Sequence, residues 1–202
     1  MPVEALPAGG SPERPRVFGI GLNKTGTSSF HEAMTVLGYT SLHWGGPSIR
    51  MEIEKSIEAG EPLLTRLDPA FDAFSDIEVL AKNFALLDQQ YPGSRFVLTV
   101  RPIDAWIDSR RRHVENNIAR KAAGEYDGFF LEVDEKRWRR QWKRHVSAAR
   151  EYFAGRDDFV EVDITDSPTW QPFCTLLGIP EPEQPFPWEN KHKVFEPRGD
   201  TP

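Results

Sequence analysis

Lys24-Thr25-Gly26-Thr27-Ser28-Ser29 sets an ammonium, a glycine and four hydroxyls side by side. Donors this dense suit an oxyanion. The apolar residues Val17, Phe18 and Ile20 before them read as a buried parallel strand, and Phe30, Met34 and Leu37 after them recur at helical spacing. A strand, a tight turn and a helix start together make an anion cradle. The first helical N–H groups have no intrahelical partner, the helix dipole is positive at that end, and Gly26 lets the backbone approach a phosphate. Hydrogen bonds to a charged group contribute about 1.5–3 kcal/mol each, so three or four can hold a nucleotide phosphate without a metal. The plainer alternative is a solvated lysine followed by hydroxyls that only cap a helix.

A second cation has a similar setting. Arg95 to Val100 reads as a buried strand, Arg101 follows it, and Ser109 falls eight positions later, two turns into the next helix (109 − 101). Ligands of open α/β sheets bind at the carboxyl ends of the strands, which places Lys24 and Arg101 on one rim. A guanidinium there is a rigid, permanently charged fork for phosphate, and the serine adds a directed donor. Arginine and serine are common, so this spacing gains weight only beside the first loop.

Two familiar nucleotide loops fail at named residues. A Walker A loop has its lysine after the second glycine, but Lys24 precedes Gly26, and no strand-end acid stands out as a Mg²⁺ partner. The dinucleotide fingerprint needs a third glycine where Gly19-Ile20-Gly21-Leu22-Asn23-Lys24 has its lysine. Strand, Lys-Thr-Gly-Thr-Ser-Ser and helix, followed by strand, Arg101, seven residues and Ser109, instead resemble sulfotransferases that use 3′-phosphoadenosine 5′-phosphosulfate (PAPS). Phe159 to Gly178 resembles their late strand, acidic turn and helix. Phe186-Pro-Trp-Glu-Asn190 with Lys191, His192 and Lys193 resembles the terminal segment that folds over the nucleotide.

The likeness spans about residues 16 to 195 and is closest to compact bacterial-type members. It implies a P-loop-containing three-layer α/β/α fold and transfer of a sulfuryl group to a hydroxyl or amine of a small-molecule acceptor. It also implies that Lys24 neutralises the leaving oxygen, that residues 24–29 hold the 5′-phosphate, and that Arg101 and Ser109 hold the 3′-phosphate. No metal is assigned. A P-loop nucleotide kinase and a non-catalytic nucleotide-binding module of the same fold are the alternatives.

An acceptor also needs a general base. Asp76, after the strand-like run Phe71 to Phe74, is the first choice, with His43 and Asp68 next; Asp76 reads equally well as a helix N-cap. Arg110, Arg111 and Arg112, and the run Lys136 to His145, could draw in an anion or form solvated helix faces. His113 and His145 lack a partner at metal-ligand spacing.

The elements that must position these groups alternate. Strands are expected near 17–20, 39–43, 63–67, 71–76, 95–101 and 159–163. Helices are expected over about 30–37, 49–59, 77–90, 102–117, 134–153 and 168–177, with 119–134 as a mobile insertion. This order means an α/β fold with a mostly parallel sheet layered between helices. Residues 1–15, with four prolines, read as a disordered lead-in, 16–195 as the domain, and 196–202 as a flexible tail.

A chain of 202 residues with 39% hydrophobic and 28% charged residues suits one globular core. The net charge of −6 argues against general nucleic-acid binding and against polyanionic acceptors. No stretch nears the ~18 apolar residues of a membrane span, and no signal-peptide pattern opens the chain. The single cysteine, Cys174, excludes an intramolecular disulfide and fits a reducing cytoplasm; its apolar setting makes it a core residue.

Overall fold

A computed structural model describes residues 14–166 and 168–188. Five short strands form one parallel sheet: β1 (Val17–Gly19), β2 (Ser41–His43), β3 (Ala73–Ser75), β4 (Arg95–Thr99) and β5 (Phe159–Val162), in the order β2-β3-β1-β4-β5. Among the described residues seven helices connect or follow them: α1 (Thr27–Val36), α2 (Gly46–Ala59), α3 (Glu78–Lys82), α4 (Phe84–Gln90), α5 (Ile103–Ala122), α6 (Glu135–Tyr152) and α7 (Gln171–Leu177). None of the described helices is long and apolar enough to cross a membrane.

Strand side chains alternate between two faces, and the core divides accordingly. Val17, Ala73 and Val97 pack with Phe30 and Met34 of α1 and Phe173 of α7. Phe18, Phe74, Phe96 and Leu98 pack on the opposite face with Ile53 of α2, Leu80 of α3, Phe84 of α4 and Val146 of α6. The result is three layers, with both faces of the sheet covered as parallel strands require. A third cluster, Leu22 with Trp106, Ile107, Val114 and Trp138, joins α5 and α6 to the chain leaving β1.

The strand order sets where a ligand can sit. From β1 the chain crosses to β2 and β3 on one side; from β4 it crosses to β5 on the other. The carboxyl ends of β1 and β4 therefore flank the point where the winding reverses, which opens a crevice in such sheets.

Several elements differ from the sequence expectation. Residues 63–67 form turns, not a strand: Leu63 and Leu67, four apart, are both buried, and the Leu63 and Leu64 N–H groups donate to Gln90 Oε1 and Tyr91 Oη. The helix expected over 77–90 breaks at Asn83, whose side-chain amide donates to the Val79 carbonyl at 2.7 Å. Helix α5 runs on to Ala122, and the segment after it is anchored by Phe130, whose carbonyl accepts from Asn117 Nδ2 and whose ring packs on Trp138. The expected lead-in (but for Arg14 and Pro15) and tail, and Glu189 to Lys193 of the terminal segment, lie outside the described residues.

Phe18 packs at the centre of the sheet. Its ring stacks on Phe74 at 5.3 Å and on Phe96 at 5.5 Å, one from each neighbouring strand. Phe18→Ala is expected to lower the unfolding free energy by about 3–5 kcal/mol, read from urea denaturation. A loss below about 1 kcal/mol would show that β1 is held by other contacts.

Candidate active site

The turn from β1 to α1 is fixed from beneath. Gly21 passes so close to β4 that a Cβ there would lie 1.9 Å from Thr99 Oγ1 and 2.5 Å from the Thr99 carbonyl oxygen. Glycine is required at that position by contact. Thr25 is buried; its hydroxyl donates to the Leu22 carbonyl at 2.6 Å and pairs with Thr99 Oγ1 at 2.7 Å. Its hydroxyl thus binds the loop to β4, leaving only its backbone for a ligand. Asn23 is held from α5: Trp106 Nε1 donates to its carbonyl at 2.7 Å, and Arg110 donates to its Oδ1 at 2.6 Å. His145 of α6 donates from Nε2 to the Ile20 carbonyl at 2.7 Å.

Held this way, Lys24 adopts φ +68° and Gly26 φ +92°. Left-handed backbone is natural for glycine and costly for lysine. Among the described residues three non-glycine positions have it: Lys24 after β1, Trp44 after β2 and Asp76 after β3. All three lie on the carboxyl rim. Strain of this kind persists where surrounding structure over-determines it, and it concentrates at functional sites.

The rim residues converge. The Asp76 carboxylate accepts a hydrogen bond from the Thr27 side chain and feels the Lys24 ammonium. His43 Nε2 lies 3.9 Å from Asp76 Oδ2 and 3.4 Å from Ser28 Oγ, while His43 Nδ1 pairs with Ser75 Oγ at 2.9 Å. The His31 ring stacks on His43 at 5.3 Å. Asp76 does not cap α3, which begins without a side-chain cap. Asp68 is elsewhere: it precedes the amino end of β3, is exposed, and accepts from the Ala70 N–H. The structure thus brings Asp76 and His43 to the lysine and leaves Asp68 out.

Burial dominates the electrostatics. It pushes Asp76 up to about 6 against the opposing pull of Lys24 and Thr27. It pushes His43 down to about 4, helped by His31 and Lys24, so the imidazole is neutral at neutral pH. Lys24 is lowered by burial, with Asp76 opposing.

Arg101 follows β4, with its Nε buried and without a hydrogen-bond partner. Its charge is affected by Asp108 and Arg112 of α5 and by Asp163 at the end of β5. Ser109 directly follows Asp108 and stands three residues before Arg112, the two α5 charges that act on Arg101. Ser29 is buried at the start of α1.

Sequence reasoning passed over Trp106 of α5 and named Arg110 and His113 without their place under the loop. Trp106, Arg110 and His113 lie along one stripe, four and then three apart, which was the available signal. Arg110 is buried with its guanidinium 4.7–4.8 Å from the rings of Trp106, Phe130 and Trp138, so it supports Asn23 and is not a solvated cation. His113 packs at a tilt against Phe130 and is pushed down to about 4 by burial, Lys24 and Arg110. By contrast, Lys136, Arg140, Lys143 and Arg144 of α6 are exposed and form a solvated face, with Trp138 buried behind them.

Asp76 carries a measurable signature. Its folded value lies above the ordinary 3.8, so between there and about 6 the folded chain binds the proton more tightly than the unfolded chain. Ionised Asp76 therefore lowers stability above that window, and the loss is relieved as pH falls through it. Asp76→Asn is expected to raise the unfolding free energy at about pH 7.5 by on the order of 1 kcal/mol, with the gain shrinking toward about pH 4. Urea midpoints that run parallel for the two proteins across this range would contradict the assignment.

Comparison with curated proteins gives no significant match. A family model described as a sulfotransferase domain matches residues 16–195, which takes in every strand, the Lys24 turn, Arg101 and Ser109. The chain belongs to the sulfotransferase domain family.

Proposed function

We propose that the protein transfers the sulfuryl group of PAPS to a hydroxyl or amine of a small-molecule acceptor. The observation that carries this reading is the pairing of two cationic positions at the winding reversal. Lys24 stands on a donor-rich turn after β1, and Arg101, with a buried Nε lacking a partner, stands after the adjacent β4. A buried guanidinium nitrogen without a partner is costly, and an anionic ligand would satisfy it. Two cationic positions after adjacent parallel strands suit a ligand with two phosphates, as the bisphosphorylated adenosine of PAPS has.

In this mechanism backbone N–H groups of residues 25–29 and the hydroxyls of Ser28 and Ser29 hold the 5′-phosphate, while the Thr27 hydroxyl stays on Asp76. Arg101 and Ser109 hold the 3′-phosphate. The sulfur–oxygen bond to the 5′-phosphate breaks as a bond forms between sulfur and the acceptor oxygen or nitrogen. Negative charge builds on the departing phosphate oxygen, and the Lys24 ammonium stabilises it. The acceptor proton passes to Asp76, with His43 beside it as the second candidate. As in phosphoryl transfer, the gain comes from positioning and charge stabilisation.

Lys24→Ala is expected to cut turnover by about 10²–10³-fold with the circular dichroism unchanged, since the loop is anchored through Gly21, Asn23 and Thr25. Arg101→Ala is expected to weaken binding of the product adenosine 3′,5′-bisphosphate by about 10–100-fold and leave adenosine 5′-monophosphate unaffected, by calorimetry without added metal. Equal losses for both nucleotides would remove Arg101 from the 3′-phosphate. Tight binding of ATP only with Mg²⁺ would favour a kinase.

A further inference from the structure

Trp44 is the residue of the rim that the chemistry above does not use. It follows β2 directly, beside His43, and its N–H donates to the Ser75 carbonyl at 2.9 Å. Trp44, Gly45 and Gly46 form a run of three left-handed residues, with φ of +59°, +68° and +78°. The two glycines adopt this conformation freely. A bulky tryptophan in it is a genuine outlier.

The indole is not there for the core. It is 61% exposed and lies outside the three hydrophobic clusters, although its neighbours Leu42 and Ile49 pack in one of them. Glycine or asparagine at this position would make the same backbone turn without strain. The position therefore carries backbone strain and an exposed ring at once, next to the paired His43 and Asp76.

We infer that Trp44 is an acceptor-selecting residue, its indole the surface on which an acceptor with a flat aromatic ring, a phenol, lies while its hydroxyl reaches Asp76 and His43. This rests on the sulfotransferase reading above. Aromatic rings stack on indole faces, and the two χ angles of tryptophan make ordering it inexpensive. A cationic acceptor would meet the Lys24 ammonium, whose charge acts on both His43 and His113. Asp76 and His43 are weak bases, which suits a phenolic hydroxyl, about six orders of magnitude more acidic than water.

The test is titration calorimetry of 2-naphthol into the whole protein saturated with adenosine 3′,5′-bisphosphate. The wild type is expected to bind it, Trp44→Phe to bind within about threefold, and Trp44→Gly about tenfold or more weakly, equivalent to about 1.4 kcal/mol. Nucleotide affinity should be the same in all three, and the melting temperature of Trp44→Gly should not fall, because the substitution removes a strained residue. Equal 2-naphthol binding by wild type and Trp44→Gly overturns the role of Trp44 and leaves the sulfotransferase reading intact. So does a wild type that binds the nucleotide and not 2-naphthol. Failure to bind the nucleotide at all would instead remove the sulfotransferase reading, and this inference with it.

Discussion

The turn that carries Lys24 is stitched to three elements that come much later in the chain. Thr99 of β4 grips Thr25, Trp106 and Arg110 of α5 grip Asn23, and His145 of α6 grips the Ile20 carbonyl. These contacts hold a lysine in left-handed backbone, where it would not rest unaided. Each supporting group is buried, so breaking one pair leaves a polar group dry. The position of the ammonium is therefore set by the tertiary structure as a whole and not by the loop alone.

The supporting layer has an unusual member in Arg110. A buried guanidinium is normally paired with a carboxylate. Here three aromatic rings surround it, and a neutral side-chain carbonyl, Asn23 Oδ1, accepts its hydrogen bond. Burial pushes it down to about 10, still charged at neutral pH. The arrangement keeps a cation beneath the loop without neutralising it. It adds positive potential to a rim where Lys24 is already lowered by burial, and Asp76 is the group that offsets it. Asp76 is in turn raised by its own burial, and the Lys24 charge opposes that shift.

Much of this architecture was legible in the chain. Alternating strands and helices gave the parallel sheet, because β-branched and aromatic runs between amphipathic helices leave few other packings. The break at Asn83 was hidden, since Ile77, Leu80, Phe84 and Leu87 keep facing the core across it and the hydrophobic period continues. Leu63 and Leu67 were misread because a buried helical-type turn and a short strand can show the same apolar residues. The turn and Arg101 could be placed on one rim because each follows the carboxyl end of a strand in a parallel sheet. The role of Arg110 could not: three adjacent arginines read as a solvated face, and the aromatic box around the first is assembled from Trp138 and Phe130, far along the chain. Trp44 was equally silent, because its φ has no signature in the sequence beyond the glycines that follow it.

The most direct measurement is a crystal structure with adenosine 3′,5′-bisphosphate bound. The account requires the 5′-phosphate within hydrogen-bonding distance of Lys24 Nζ and the N–H groups of residues 25–29, with the 3′-phosphate on Arg101 and Ser109. A nucleotide lodged away from the carboxyl ends of β1 and β4, or one whose 3′-phosphate leaves Arg101 Nε without a partner, would contradict it.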